Sequence, residues 1–328
     1  MRPFDYERAA DVAGAVATVA ARRGAAVLAG GTNLVDHMKL GVQSPDLLVD
    51  VARLAATIDD LDDGGLRIGA GVRNADLAAD MRVRTRYRAL AQALLSGASG
   101  QLRNVATTGG NLLQRTRCPY FRDPSLACNK REPGSGCSAR DGYNRDHAIL
   151  GASERCVATN PSDMAVALRA FDAVVHVLGP DGPRAVAIGD LHRLPGDAPE
   201  RDTTLEHAEL ITAVDLPALP IAARSAYRKV RDRASFAFAL VSVAAAVRLD
   251  GDMIADARIA FGGLAHVPWR APAAEQALRG RSVSETSFRA AADAELRDAR
   301  PLEHNAFKLP MAANALVATL RDLTSTVR

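Results

Sequence analysis

The chain has 328 residues, too many for one small hydrophobic core, so two or three subdomains are expected. Its net charge of +3, with Lys and Arg scattered along the chain, excludes the basic stripe of a nucleic-acid binder. Hydrophobic residues at 48% and charged residues at 24% describe a soluble globular protein, and aromatics at 4% leave the core to Ala, Val and Leu.

The N-terminus, MRPFDYERAADVAG, carries charges where an export signal needs an apolar run, so no signal peptide is expected. Residues 11–23 place Val12, Val16 and Val19 on one helical face, with Gly24 as the stop. A short strand at 25–28 runs into Ala29-Gly30-Gly31-Thr32-Asn33, and a helix at 34–40 closes at Gly41. Residues 47–51 form another strand candidate. A Gly-Gly turn between a strand and a helix start suits a phosphate, because glycine lets backbone N–H groups approach the anion. By itself GGTN is more often an ordinary tight turn; it is neither a Walker loop nor G-x-G-x-x-G.

A second unit begins near Asp62, with a strand at 66–72, a helix capped by Asn74 and a longer helix at 87–95. Residues 101–108 lead to a second turn, Thr107-Thr108-Gly109-Gly110-Asn111. Two such turns about eighty residues apart can grip two parts of one large anionic cofactor. After a polar segment, TNPSD at 159–163 opens a helix at 164–171, where Ser162 or Asp163 is an N-cap or Asp163 bonds a ribose hydroxyl. Strands are expected at 173–178, 184–188 and 209–215, then a linker at 217–220. The third unit carries strands at 226–230, 239–249 and 253–261, the last two joined by the hairpin signal Asp250-Gly251-Asp252. Helices follow near 273–278, 285–297 and 305–323. Lys229 lies in a basic cluster that reads, without context, as a solvated strand end. The apolar run 236–247 is too short to span a bilayer.

All four cysteines, Cys118, Cys128, Cys137 and Cys156, lie in one polar segment with the spacing C-x9-C-x8-C-x18-C. Paired zinc knuckles are absent, a chain this long needs no disulfide staples, and the flanking residues are not those of buried inert thiols. An iron–sulfur cluster, a zinc site, and a disulfide or no site at all stay open on this spacing. Arg115, Arg117, Lys130 and Arg131 would offset the negative charge of a thiolate-ligated cluster.

With AGGTNL at 29–34, TTGGNL at 107–112, TNPSD at 159–163 and YRKVRDRASFAFALVSVA at 227–244, the chain resembles the FAD-binding medium subunits of the molybdenum hydroxylases, the xanthine dehydrogenase and aldehyde oxidoreductase family. The resemblance spans essentially the whole chain. The loop NLLQRTRCPYF…CNKREPGSGC…C is similar to that of bacterial periplasmic-type aldehyde oxidoreductases, whose FAD subunit carries a [4Fe–4S] cluster. It implies an α+β fold of the vanillyl-alcohol-oxidase (PCMH) type. Its parts would be an FAD-binding subdomain at 1–55, a second at 56–218 with the cysteine loop at 115–157, and a C-terminal domain at 222–328 with a three-stranded sheet and helices. It also implies FAD held by Ala26, Val27, Leu28, Ala29, Gly30, Gly31, Thr32, Asn33 and Leu34 at the pyrophosphate. Ala98, Thr107, Thr108, Gly110 and Asn111 would form the opposite wall. Asp163 would meet the ribose, Leu210 the adenine and Lys229 the flavin ring, with Cys118, Cys128, Cys137 and Cys156 ligating the cluster.

Many relatives have an aromatic residue where this chain has Gly97, which leaves open what covers that flavin face. The implied activity is a relay from a large molybdopterin subunit through a small 2×[2Fe–2S] subunit to FAD and on to an external acceptor. A β subunit of a 4-hydroxybenzoyl-CoA reductase-like or xanthine dehydrogenase-like complex, and a stand-alone flavin oxidoreductase, are the alternatives. No residue of the chain is expected to act as a catalytic acid, base or nucleophile, and His37, His147 and His266 read as structural or surface groups. The compartment is the periplasm by co-export with a partner, or the cytoplasm.

Overall fold

The computed structural model describes residues 1–325. Three sheets organise them. The first is fully parallel, with Leu47–Asp50 between Asp5–Arg8 and Ala25–Leu28. Parallel neighbours need crossovers, and the helix Val12–Ala21 is the first of them, capped by Asp11, whose Oδ1 accepts from Gly14 N. The short run Asp5–Arg8 is exposed and polar, so periodicity did not reveal it as a strand.

The second sheet is antiparallel and runs Ile58–Asp60, Leu66–Gly69, Leu210–Leu216, Val174–Gly179, Gly182–Ala187. Helices Arg88–Ser96 and Asp163–Ala170 share its core, with Tyr87, Leu90, Leu94, Met164 and Phe171 buried there. Short helices that the periodicity does not reveal are Met81–Arg86, Gly100–Arg103, Pro119–Arg122, Ser138–Asp141 and Ile188–Leu191, and the second Gly-Gly turn is itself the start of a short helix, Thr108–Leu112. Asn74 is the first helical residue of Asn74–Ala79 rather than its cap, a correction whose consequence appears at the site.

The third sheet is four-stranded, against the three strands implied by resemblance: Ser225–Val230, Val241–Asp250, Met253–Gly262 and the short Trp269–Arg270. Strand Val241–Asp250 shows why its sequence is apolar without alternation. Val241, Val243, Ala245 and Val247 face the C-terminal core, while Ala244 and Ala246 join the core of the second sheet. Side chains alternate between faces, and here both faces are covered. Alanine on the second face lets the helix Asp163–Ala170, itself rich in buried alanine, pack closely on it. Helices Pro272–Leu278, Glu285–Leu296 and Lys308–Ser325 cover the other face. No helix among the described residues is long and apolar enough to cross a membrane.

Candidate functional site

The two Gly-Gly turns touch. A Cβ on Gly30 would lie 2.2 Å from the carbonyl oxygen of Val105 and 3.1 Å from Ala106 Cα, so only glycine permits this approach. Gly31 has φ +69°, which turns the chain from the strand Ala25–Leu28 into the helix Leu34–Leu40. Among the described residues, the amides of Gly30, Gly31, Thr32 and Asn33 donate no hydrogen bond within the chain. They form a nest of free donors at a helix start, the arrangement that binds phosphate. Thr107 caps the second turn, its Oγ1 accepting from Gly110 N at 3.2 Å.

Side chains lock the motifs together. Asn33 Oδ1 accepts from Arg115 N at 3.0 Å, tying the first turn to the cysteine segment. Asn111 Oδ1 accepts from Ser162 Oγ at 2.6 Å, tying the second turn to TNPSD. Ser162 is also the helix cap, accepting from Ala165 N.

Two cavities open around these contacts. One of 300 Å³ is walled by Ala26, Val27, Ala29 to Leu34, Thr107, Gly110 and Leu210. The other, of 790 Å³, is walled by Ala98, Asn111, Asp163 and Lys229, with Thr32, Asn33 and Gly110 bordering both. A dinucleotide can therefore span the two. Of the residues implied by resemblance, Leu28 and Thr108 border neither cavity. Leu28 is paired opposite Asp50 in the parallel sheet, and Thr108 donates through both N and Oγ1 to Val72 O.

Lys229 is not a solvated strand end. Its ammonium is buried, 2.7 Å from Asp163 Oδ2 and 3.1 Å from Ser96 O. Asp163 Oδ1 accepts from Tyr227 Oη. Burial, with the adjacent Asp163 charge, pushes the Tyr227 phenol well above its ordinary value, so it remains a donor. Ala98 takes the strained φ of +51°, and a Cβ on its neighbour Gly97 would sit 3.3 Å from Asp163 Oδ2. The larger cavity is also bordered by Phe236 and Phe238 of the loop between the first two strands of the third sheet. Their rings are half exposed, and Arg117 stacks on Phe238 with its guanidinium carbon 4.9 Å from the ring centre.

Asn74 is the site residue that the motifs did not reveal. It is buried at the larger cavity, and its Oδ1 has no partner among the described residues. A buried acceptor on a cavity wall can accept from a bound molecule or from an ordered water. With the free amides of the first turn, it suits a large cofactor carrying both phosphates and hydrogen-bond donors.

The four cysteines converge as well. All four wall one small cavity, and Cys118 also borders the larger one. Among the described residues all four are free thiols, and the backbones of Cys128 and Cys137 form an isolated antiparallel β-bridge. Burial pushes the Cys118 thiol up to about 12 and that of Cys156 up to about 11. Such thiols stay protonated until a metal displaces the proton. No group of three His, Cys, Asp or Glu side chains among the described residues is drawn together as a single-ion site.

The cysteine segment is anchored on three sides. Arg122 pairs with Asp36, and Ile149 and Leu150 donate to Leu264 O in the C-terminal domain. The third anchor is Asp202, which receives Arg115 Nε at 2.6 Å and the buried Lys130 ammonium, itself 2.8 Å from His266 Nε2. Burial acts to raise the Asp202 carboxyl, but His266, Arg115 and Lys130 outweigh it and hold it well below the carboxylate range. Arg115 and Lys130 are thus committed to Asp202, and Arg131 to the carbonyls of Tyr120 and Phe121. They are mostly not free to balance charge at the cysteines, as the sequence suggested, although Lys130 still acts to lower the Cys156 thiol.

His37, His147, His192 and His266 are all buried, so none is a surface group. Burial lowers the pKa of His37 and His192 below the ordinary 6.5. Below pH 6.5 the unfolded chain binds protons that the folded chain refuses. Their stabilising contribution is therefore complete above 6.5 and is lost as pH falls. Each such group contributes a slope of up to ~1.4 kcal/mol per pH unit. Urea unfolding at pH 6.5 and 5.5 should show the drop, and a His37→Gln variant should show a shallower one.

Residues 2–219 match the family described as the FAD binding domain in molybdopterin dehydrogenase, and residues 225–323 match the CO dehydrogenase flavoprotein C-terminal domain. The aldehyde oxidoreductase FAD-binding subunit PaoB of Escherichia coli (strain K12) is 51% identical over 326 residues, covering 98% of each chain. The glyceraldehyde dehydrogenase medium chain of Sulfolobus acidocaldarius is 27% identical, covering 86% of this chain and 83% of its own. Among solved structures, carbon monoxide dehydrogenase from Hydrogenophaga pseudoflava superposes with a TM-score of 0.76 at 26% identity, over 99% of this chain and 98% of that one. The touching glycine turns, their free amides and these matches together place the chain in the family of FAD-binding medium subunits of the molybdenum hydroxylases.

Proposed function

We propose that this chain is the flavin subunit of a heterotrimeric, molybdenum-dependent aldehyde oxidoreductase. A large molybdopterin subunit would oxidise the aldehyde, and a small 2×[2Fe–2S] subunit would deliver the electrons here for release to an external acceptor. The 51% identity to an aldehyde oxidoreductase FAD-binding subunit supports aldehyde over the xanthine dehydrogenase-like and 4-hydroxybenzoyl-CoA reductase-like alternatives. The single observation that carries the reading is the meeting of three distant motifs, through Gly30, Asn33, Asn111 and Ser162, around two adjoining cavities.

When bound, FAD supplies one- and two-electron redox chemistry of its own. The residues here bind and orient it. The amides of Gly30 to Asn33 suit its pyrophosphate, and Leu210 and the smaller cavity suit the adenosine. Asp163 lies on the wall of the larger cavity with both carboxylate oxygens engaged, which favours anchoring Lys229 there over contacting the ribose. Phe236 and Phe238 offer the aromatic cover that Gly97 lacks.

Cys118, Cys128, Cys137 and Cys156 would hold a [4Fe–4S] cluster, a group that supplies one-electron transfer beside the flavin. Their shared cavity and the place of Cys118 on both cavities support this.

The test is an absorption spectrum of the purified complex with Fe, sulfide and Zn analysis. Flavin bands and about four irons per chain beyond those of the small subunit support the proposal. A folded complex without FAD sinks the flavin role, and about one zinc per chain with no extra iron sinks the cluster. Turnover of an aldehyde by this chain without partners would favour a stand-alone oxidoreductase instead.

A further inference from the structure

Cys118 differs from the other three cysteines in what surrounds its sulfur. His147 Nε2 lies 3.2 Å from Cys118 Sγ. His147 is buried and is held in place from behind. Its carbonyl oxygen accepts from Lys308 Nζ at 2.9 Å and from Asn305 Nδ2 at 3.1 Å. Lys308 is fully buried and also donates to Gly263 O at 2.8 Å. Lys308, in the C-terminal helix, and Asn305 thereby fix the backbone that carries this imidazole, whose Nδ1 has no partner among the described residues. His147, Gly263 and Cys118 all border the larger cavity.

We propose that His147 is a positioning residue that donates its Nε2–H to the sulfur of Cys118 and raises the reduction potential of the metal group held there. The inference rests on the reading of Cys118 as a metal ligand. A ligating sulfur is a thiolate and carries no proton. At 3.2 Å, two facing lone pairs would repel, so the imidazole nitrogen must carry the hydrogen. A donor to a ligand sulfur withdraws electron density and stabilises the reduced state, one of the ways a protein tunes such a group. Because the ring stands at the cavity that suits the flavin, the tuned ligand is also the one nearest the flavin side.

The test compares wild type, His147→Phe and His147→Gln, each purified as the full complex, by iron analysis and an EPR-monitored redox titration. Phe keeps a ring without the donor, and Gln restores an N–H. With iron retained, His147→Phe should weaken reduction about tenfold, a fall of about 59 mV for one electron, and His147→Gln should recover most of it. An unchanged potential in His147→Phe with iron intact overturns the inference and leaves the cluster reading standing. If His147→Phe loses its iron, pulsed EPR on the reduced wild-type protein labelled with ¹⁵N-histidine decides. One coupled imidazole nitrogen supports the contact, and none overturns it. Wild-type protein without the extra iron sinks the cluster reading itself, and this inference with it.

Discussion

Gly30→Ala should lower FAD affinity by tenfold to a hundredfold. The added Cβ would meet Val105 O at 2.2 Å and Val105 C at 2.8 Å, and both are backbone atoms that cannot rotate away. The two Gly-Gly turns must separate, and overpacking of this kind costs about 1–3 kcal/mol. Each 1.4 kcal/mol lost from binding is about a factor of ten. The loss falls on FAD because both displaced turns border the cavities. Gly100→Ala is the control: nothing lies within 4 Å of its Cβ position. Flavin content per chain, and fluorescence titration of FAD into flavin-stripped protein, should separate the two variants. Equal flavin content in both would show that the close approach of the turns does not matter for binding.

Asp202→Ala should be the most destabilising single change in the polar part of the molecule. It leaves the Lys130 ammonium, 1% exposed, without its carboxylate, and Arg115 with it. Removing one partner of a buried ion pair costs about 3–5 kcal/mol, because the other charge stays buried. The effect has a sign in pH. The Asp202 carboxyl is held below its unfolded value, so its contribution is present above pH ~4 and is lost as pH falls further. Wild type should therefore lose stability in acid more steeply than the alanine variant, which has no such contribution to lose. Urea unfolding of both from pH 7 to pH 3 measures it. Lys130 lies between Cys128 and Cys137, so iron content should fall with the anchor. Parallel acid profiles would mean that Asp202 does not act through its charge.

The two networks differ in how much of them could be read beforehand. The glycine turns were legible because their chemistry is local: a strand, two glycines and a helix start within ten residues already define a nest of free amides. The helix Leu34–Leu40 and its stop at Gly41 were likewise written in neighbouring residues. Asp202 was not legible. It lies in a polar, proline-containing segment 72 residues from Lys130, and nothing near it marks it as the acceptor of two cations. The burial of Lys229 is hidden in the sequence for the same reason. A basic cluster reads as solvated until the fold brings Asp163, 66 residues away, against one member of it. Asn74 has the residue type of a helix cap, yet the cap is Arg73. The place of Asn74 one residue inside the helix, with Oδ1 left unpaired at a cavity, depends on how the second turn packs over it.

The sequence by itself determined the α+β class, most element positions, the family and the gathering of every thiol in one segment. These follow from short-range patterns: side-chain period, glycine's freedom and motif order. Only the tertiary structure decided which residues border the cavities: Asn74, Phe236 and Phe238 do, and Leu28 and Thr108 do not. It alone joined Cys118 to His147, and Lys130 to Asp202. Burial and charge pairing depend on which surfaces meet, and residues far apart in the chain carry no local signal of that meeting.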